Sequence, residues 1–219
     1  LKKKKKRVKK RNKGLFVTFE GGEGAGKTTL INRVYDVLTA KGHSVVRTLE
    51  PGGTSLGKEI RDLLLHQKES PICRQSELFL YLADRAQHVQ ELILPALEEG
   101  KIVLCDRFND STLAYQGVAR SLNVDLLRGL CLAATDGLVP NLTLYLDLDP
   151  KVGLSRAKQK NTYDRLEEEN LSFHTKVREA FLSLAKDEPN RFHVIDASKD
   201  VDSVYTAAMG EINDLLCLK

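Results

Sequence analysis

Five short apolar runs punctuate the chain, at Leu15 to Glu20, Ser44 to Leu49, Lys101 to Cys105, Leu142 to Asp147 and Arg191 to Ile195, with longer amphipathic stretches between them. Runs of this length read as buried strands. Between the first two, Leu30, Ile31, Val34, Tyr35, Val37 and Leu38 recur at helical spacing. Ser76 to Gly100 reads as one long helix with Ser76 as N-cap, and Val152 to Ala157 and Leu166 to Leu184 read as two more. Strands alternating with helices predict an α/β fold, a five-stranded parallel sheet flanked by helices on both faces. Ligands of such sheets gather beyond the carboxyl ends of the strands, so the residues following each run are the candidates for chemistry.

After the first run comes Gly21-Gly22-Glu23-Gly24-Ala25-Gly26-Lys27-Thr28-Thr29, which contains the phosphate-cradling pattern G-x-x-x-x-G-K-[ST] between a strand and a helix. Backbone N–H groups of such a turn converge on a polyphosphate, and the following helix aims its positive end at the same anion. Lys27 is expected to reach the outer phosphates, and Thr28 to offer its hydroxyl to magnesium. After the second run, Glu50-Pro51-Gly52-Gly53-Thr54 cannot be helical, and its glycines permit close backbone approach to a ligand. After the third comes Asp106-Arg107-Phe108. That acid and base are either a structural ion pair or a phosphate clamp, Arg107, beside a holder of the metal or its water, Asp106. Tyr81 and Arg85 lie four apart on the predicted long helix, a spacing that equally allows a surface cation–π pair. Arg156, Lys158, Lys160 and Arg165 surround Asn161-Thr162-Tyr163, either a solvated connection or a lid whose cations meet the charge of a transferred phosphoryl group.

Charge changes the picture at one end only. The formal net charge is +4, but residues 1–13 hold ten Lys or Arg and no acid, and without them 24 basic residues face 30 acidic ones. The leader is expected to be a solvated tail that does not fold alone, and nucleic acid is not the expected partner, because the acidic body offers no second basic surface. Residues 14–219 are expected to form a single domain with the lid around 156–166. Cys73, Cys105, Cys131 and Cys217 are far apart, form no C-x-x-C pair and lie mostly in stretches that look like core, so a reducing, cytoplasmic setting is expected. No apolar run reaches the roughly 20 residues that span a bilayer, and no apolar signal core follows the basic leader, so neither membrane nor secretion is expected.

These segments together resemble the thymidylate kinase family, from about Leu15 to the C-terminal helix. The resemblance rests on the loop from Glu20 to Thr29, on Glu50-Pro51-Gly52-Gly53-Thr54, on Ala83-Asp84-Arg85-Ala86-Gln87-His88, and on Asp106-Arg107-Phe108 followed by Ser111-Thr112-x-Ala114-Tyr115-Gln116-Gly117. It implies a P-loop nucleoside-monophosphate-kinase-like fold, phosphoryl transfer from magnesium-bound ATP to dTMP, and a homodimer built on helix faces. By that similarity Gly21 to Thr29 bind ATP, with Thr28 and Asp106 at the metal. Tyr81 stacks on thymine, Arg85 bonds the base edge, and Arg107 with Arg61 grips the monophosphate. Glu50 and Pro51 belong to the acceptor site, Ser111, Thr112 and Gln116 line the base pocket, and Tyr115 crowds a ribose 2′-hydroxyl. No Arg lies inside the phosphate loop, so the chain is similar to the bacterial kind with lid cations, here Arg156 and Lys160. Glu23 then sits where a carboxylate helps order metal and phosphates. Four positions depart from the family: Leu49 where Arg is usual, Tyr81 where Phe is usual, and Lys158 and Lys160 where Arg is frequent. Lysine keeps the charge without the planar fork, which implies a looser clamp. The competing readings are a kinase for another nucleoside monophosphate and a nucleotide-binding switch protein. The adenylate kinase loop signature and the D-x-x-G and N-K-x-D motifs of GTPases are absent.

Overall fold

The computed structural model describes residues 14–66, 71–159, 165–166 and 168–217. Its sheet has five parallel strands: β1 (Leu15–Gly21), β2 (Val45–Leu49), β3 (Ile102–Asp106), β4 (Leu142–Asp147) and β5 (Phe192–Asp196), in the order β2-β3-β1-β4-β5. All five expected strands are present, shifted by at most one residue at either end. The most central strand, β1, is buried along its whole length, which is why its sequence shows no polar alternation. Its side chains divide between two layers. Val17 and Phe19 pack with Leu30, Val34 and Leu38 of α1 (Lys27–Ala40) and with Ile212 of α9 (Val201–Cys217). Phe16 points the other way, into a cluster with Val89, Ile93 and Phe108. The one hydroxyl in the strand interior, Thr18, is satisfied by Thr143 of β4 at 2.8 Å.

Register decides function here. Phe19 pairs with Asp106, and Leu49 pairs with the same Asp106. Three strands therefore end at one rim and hand the phosphate loop, Glu50 and Arg107 to the same edge.

The predicted long helix is not one helix. It divides into α3 (Arg74–His88), a π-helical segment (Val89–Ile93) and α4 (Leu94–Glu98), and Cys73 rather than Ser76 occupies the N-cap. Pro95 accounts for the break, because its ring lacks an N–H and collides with the carbonyl four residues back, so the ladder widens before it. The helix expected from Leu166 begins only at Leu171, as α8 (Leu171–Asp187), where the Asn170 side chain accepts from Phe173 N and caps it. The helix expected at Val152 to Ala157 is α7 (Pro150–Lys158). The remaining helices are α2 (Ser55–His66), α5 (Asn109–Thr112), which runs on into a second π segment (Leu113–Ala119), and α6 (Val124–Ala134). Of the four cysteines, Cys105 and Cys131 are core, whereas Cys73 and Cys217 are exposed, one at a helix start and one at a helix end.

Candidate active site

The loop after β1 is shaped by close backbone contact. Gly24 has φ +66 and lies against the carbonyl of Gly153 in α7, so a side chain there would meet main chain as well as a strained dihedral. Lys27 opens α1, and its ammonium donates to the carbonyls of Gly21 and Gly22 at 2.9 and 3.0 Å. Burial and the neighbouring Arg107 lower its pKa, and Asp106, Glu23 and Glu20 act against that shift.

Arg107 follows β3 in a left-handed conformation, φ 70, which is costly for a side chain of this size. Its N–H donates to Phe19 O, and the next N–H, of Phe108, donates to Glu20 Oε1 at 2.8 Å. These two bonds hold the kink. The guanidinium then reaches Glu23 in the phosphate loop at 2.7 Å, Tyr115 Oη at 3.2 Å and Ser111 Oγ at 3.3 Å. Tyr115 Oη also donates to Glu23. Burial by itself would raise the Glu23 carboxyl, but Arg107 and Lys27 outweigh it and hold it below its usual value. Among the described residues Arg107 and Asp106 form no ion pair with each other. Arg107 pairs with Glu23, while Asp106 turns one oxygen to Thr28 Oγ1 at 3.4 Å and keeps the other, Oδ1, buried without a partner.

Arg85 is fully enclosed. Its Nε donates to Glu50 at 2.6 Å, and its terminal nitrogens donate to Thr112 Oγ1 and Phe108 O. A surface pair with Tyr81 is therefore not what the spacing encodes; the guanidinium lies over Phe108 instead, 5.3 Å from the ring centroid. Glu50 Oε1 meets His88 Nδ1 at 2.8 Å, and His88 Nε2 meets Thr48 Oγ1 at 2.7 Å. Glu50, His88 and Cys105 come close enough to suggest a metal cluster. Since both imidazole nitrogens and both Glu50 oxygens already have protein partners, the arrangement works as a hydrogen-bond relay. In the loop after β2, Gly53 lies against the His88 ring and Gly52 against Arg61.

A cavity of about 520 Å³ joins these parts. Its lining includes Lys27, Thr28, Glu23 and Asp106, then Arg107, Ser111, Thr112, Tyr115, Arg61, Glu50 and Pro51, and Tyr81, Arg85 and Gln116. Every residue expected at the acceptor site lines it. Leu49, where an arginine was the usual family residue, lines it too. A second cavity, of about 430 Å³, opens along the far side of the loop, where Ala25, Gly26 and Thr29 face Arg33, Tyr205 and Ser198. Arg156 lines this second cavity and not the first, and Lys160 lies outside the described residues.

Sequence reasoning missed Glu20 and Glu77. Glu20 is fully buried and accepts from Phe108 N and Ser111 Oγ; burial and the nearby Asp110 push its carboxyl up to about 8. Its signal was an acid closing an otherwise apolar run. Glu77 accepts from Gln116, Arg120 and Arg165, all distant in sequence, and no local pattern marks it.

Residues 19–208 match the family model described as thymidylate kinase. A thymidylate kinase of Protochlamydia amoebophila is 50% identical over 205 residues, covering 90% of this chain and 91% of that one. One of Desulfovibrio desulfuricans is 52% identical over 197 residues, 87% of this chain and 91% of the relative. The crystal structure of thymidylate kinase from Ehrlichia chaffeensis superposes with a TM-score of 0.74 at 33% identity, over 91% of this chain and 98% of that one.

Proposed function

The chain belongs to the thymidylate kinase family, and on that premise we propose that it transfers the terminal phosphoryl group of ATP to dTMP, giving ADP and dTDP. The contact that carries this reading is Arg107 to Glu23 at 2.7 Å. It joins a side-chain anion grip to the phosphate loop across the rim of the sheet, so two phosphates brought to these groups share one space.

The loop amides from Gly21 to Thr29 and the Lys27 ammonium hold the donor phosphates, and the second cavity takes the donor nucleoside beside Arg156. Arg107 and Arg61 hold the acceptor phosphate, while Tyr81, Arg85, Thr112 and Gln116 hold its base and Tyr115 stands at the sugar. The acceptor is largely a dianion at neutral pH, so no strong general base is required, and positioning with charge neutralisation carries the rate. A magnesium ion, when bound, neutralises charge on the phosphates, and Thr28 and Asp106 are the residues that would hold it. That donor set fits a hard cation, since both offer oxygen and Asp106 Oδ1 is buried with no other partner. Residues around 156–166 serve as the lid, with Arg156 and Lys160 supplying charge. Its far end is tied down where Arg165 donates to Leu64 O and to Glu77.

A homodimer is supported by the apolar residues Leu63, Phe79 and Leu126, which α2, α3 and α6 leave exposed. Sedimentation of a Phe79→Glu variant tests it, with a monomer as the expected result. Four free cysteines suit a cytoplasmic setting, and among the described residues no helix is long and apolar enough to cross a membrane. Coupled ADP release with magnesium, run across dTMP, dUMP, UMP, dCMP, AMP and GMP, tests the function. The highest kcat/KM is expected on dTMP, and a higher value on AMP or GMP overturns the assignment.

A further inference from the structure

Glu77 of α3 is 1% exposed and Gln116 of the second π segment is 2% exposed. Gln116 Nε2 donates to Glu77 Oε1 at 2.8 Å. A carboxylate only accepts, so of the two ends of the Gln116 amide only the NH2 can face it. Burial by itself would raise the Glu77 carboxyl, but the Gln116 amide, Arg120 and Arg165 outweigh burial and hold it below its usual value. It stays ionised at neutral pH. The amide oxygen is then the end of Gln116 left for the cavity that this residue lines. Arg85 lines the same cavity and carries only donors.

We propose that Glu77 is a positioning residue for base selectivity: it locks the Gln116 amide with its oxygen toward the acceptor pocket, which selects a base edge bearing an N–H. The N3–H of a pyrimidine-2,4-dione meets that oxygen, and its 4-oxo group suits a donor such as Arg85. Cytosine presents the opposite pattern, a bare N3 and an exocyclic amine. This role rests on the reading of the chain as a dTMP kinase and refines it.

The second oxygen of Glu77 supplies the test. Oε2 accepts from Arg165 at 2.6 Å, its shortest contact with a cation. Arg120 also bonds both oxygens, at 3.4 Å each, but the 2.6 Å contact of Arg165 favours an oxygen at the Oε2 position. In Glu77→Gln the new amide therefore keeps its oxygen on Arg165 and turns its NH2 to Gln116, which must then reverse and show its own NH2 to the pocket. Steady-state kinetics on dTMP and dCMP are measured for the wild type, Glu77→Gln, Gln116→Leu, the double variant and Arg165→Gln, with circular dichroism to confirm folding. In Glu77→Gln, kcat/KM for dTMP is expected to fall about tenfold or more, chiefly through KM, and the dTMP-over-dCMP preference to narrow by a similar factor. Gln116→Leu should narrow the preference as well, and adding Glu77→Gln to it should change the preference no further. Arg165→Gln removes the shortest cation contact of Glu77 and leaves those of Gln116 and Arg120, so it should leave the preference unchanged even where it lowers kcat on both nucleotides.

A Glu77→Gln enzyme with wild-type preference, including one that loses kcat equally on both substrates, overturns the positioning role. If Glu77→Gln does not fold, Gln116→Leu decides, and an unchanged preference there overturns the role as well. Wild-type enzyme inactive on dTMP would instead refute the kinase reading itself, so the two failures are distinguishable.

Discussion

The two ends of the main cavity hold anions and polar groups by opposite means. The phosphate loop is local: residues 21–29 build it from their own backbone, and Lys27 bonds carbonyls only five and six positions away. The acceptor end is assembled from afar. Arg85 is set by Glu50, 35 positions distant, Gln116 by Glu77, 39 distant, and Ser111 by Glu20, 91 distant. In each of these three pairs the carboxylate is almost fully buried. Generic polyphosphate recognition needs only main-chain amides, which any sequence with the right glycines supplies. Choosing one base needs side chains fixed in one rotamer and one protonation state, and hydrogen bonds to buried carboxyl groups impose that.

The largest test of this contrast removes the one side-chain cation of the local end. Lys27→Ala is expected to lower kcat by on the order of a thousandfold or more, as loss of a transition-state cation does in related chemistry. Melting temperature and dTMP affinity by calorimetry should change little. Retention of more than about a tenth of wild-type turnover would show that the backbone cradle suffices.

Next comes Glu50→Ala, which leaves the Arg85 guanidinium buried without its counter-charge. Breaking such a pair costs about 3–5 kcal/mol, to be read from denaturant unfolding. A loss below about 1 kcal/mol would mean that Arg85 finds water, and the acceptor end would be less dependent on remote carboxylates than the geometry implies.

A smaller effect sharpens the acceptor side alone. The thymine methyl contributes roughly 1 kcal/mol on burial, so kcat/KM on dUMP should fall about fivefold below dTMP. UMP should fall lower still if Tyr115 crowds the 2′-hydroxyl, and equal efficiency on UMP and dTMP would remove that role.

The last test concerns Glu20, which precedes the phosphate loop and accepts from Ser111. Its folded pKa of about 8 lies above the ordinary 4.5, so its stabilising contribution is whole below about 4.5 and is lost as pH rises toward 8. Glu20→Gln mimics the protonated form and should flatten the fall in Tm between about pH 5 and pH 8. A variant curve parallel to wild type would place the titration elsewhere.

Much of this was legible in the chain. The five strands, their parallel order and the chemistry beyond their ends follow from apolar runs and punctuating glycines, because period and turn residues are local properties. The residues expected at the acceptor site came from segments whose spacing resembles one family, and all of them line one cavity. What stayed hidden has a common cause. Tyr81 and Arg85 at helical spacing read equally well as a surface pair, since spacing reports the shared face but not what covers it. The π segments, the break before Pro95 and the caps at Cys73 and Asn170 came from steric and hydrogen-bond competition that periodicity does not register.

The order of residues alone therefore settled the strands and the phosphate loop, because each depends on neighbours a few positions apart. Only the folded chain decided that Arg107 pairs with Glu23, that Asp106 keeps a carboxylate oxygen unpartnered, that Arg156 lines the other cavity, and which way Gln116 presents its amide. The Arg107–Glu23 and Gln116–Glu77 contacts follow from burial, which makes an unpaired polar group costly and so forces partners together across tens of residues that no local pattern connects.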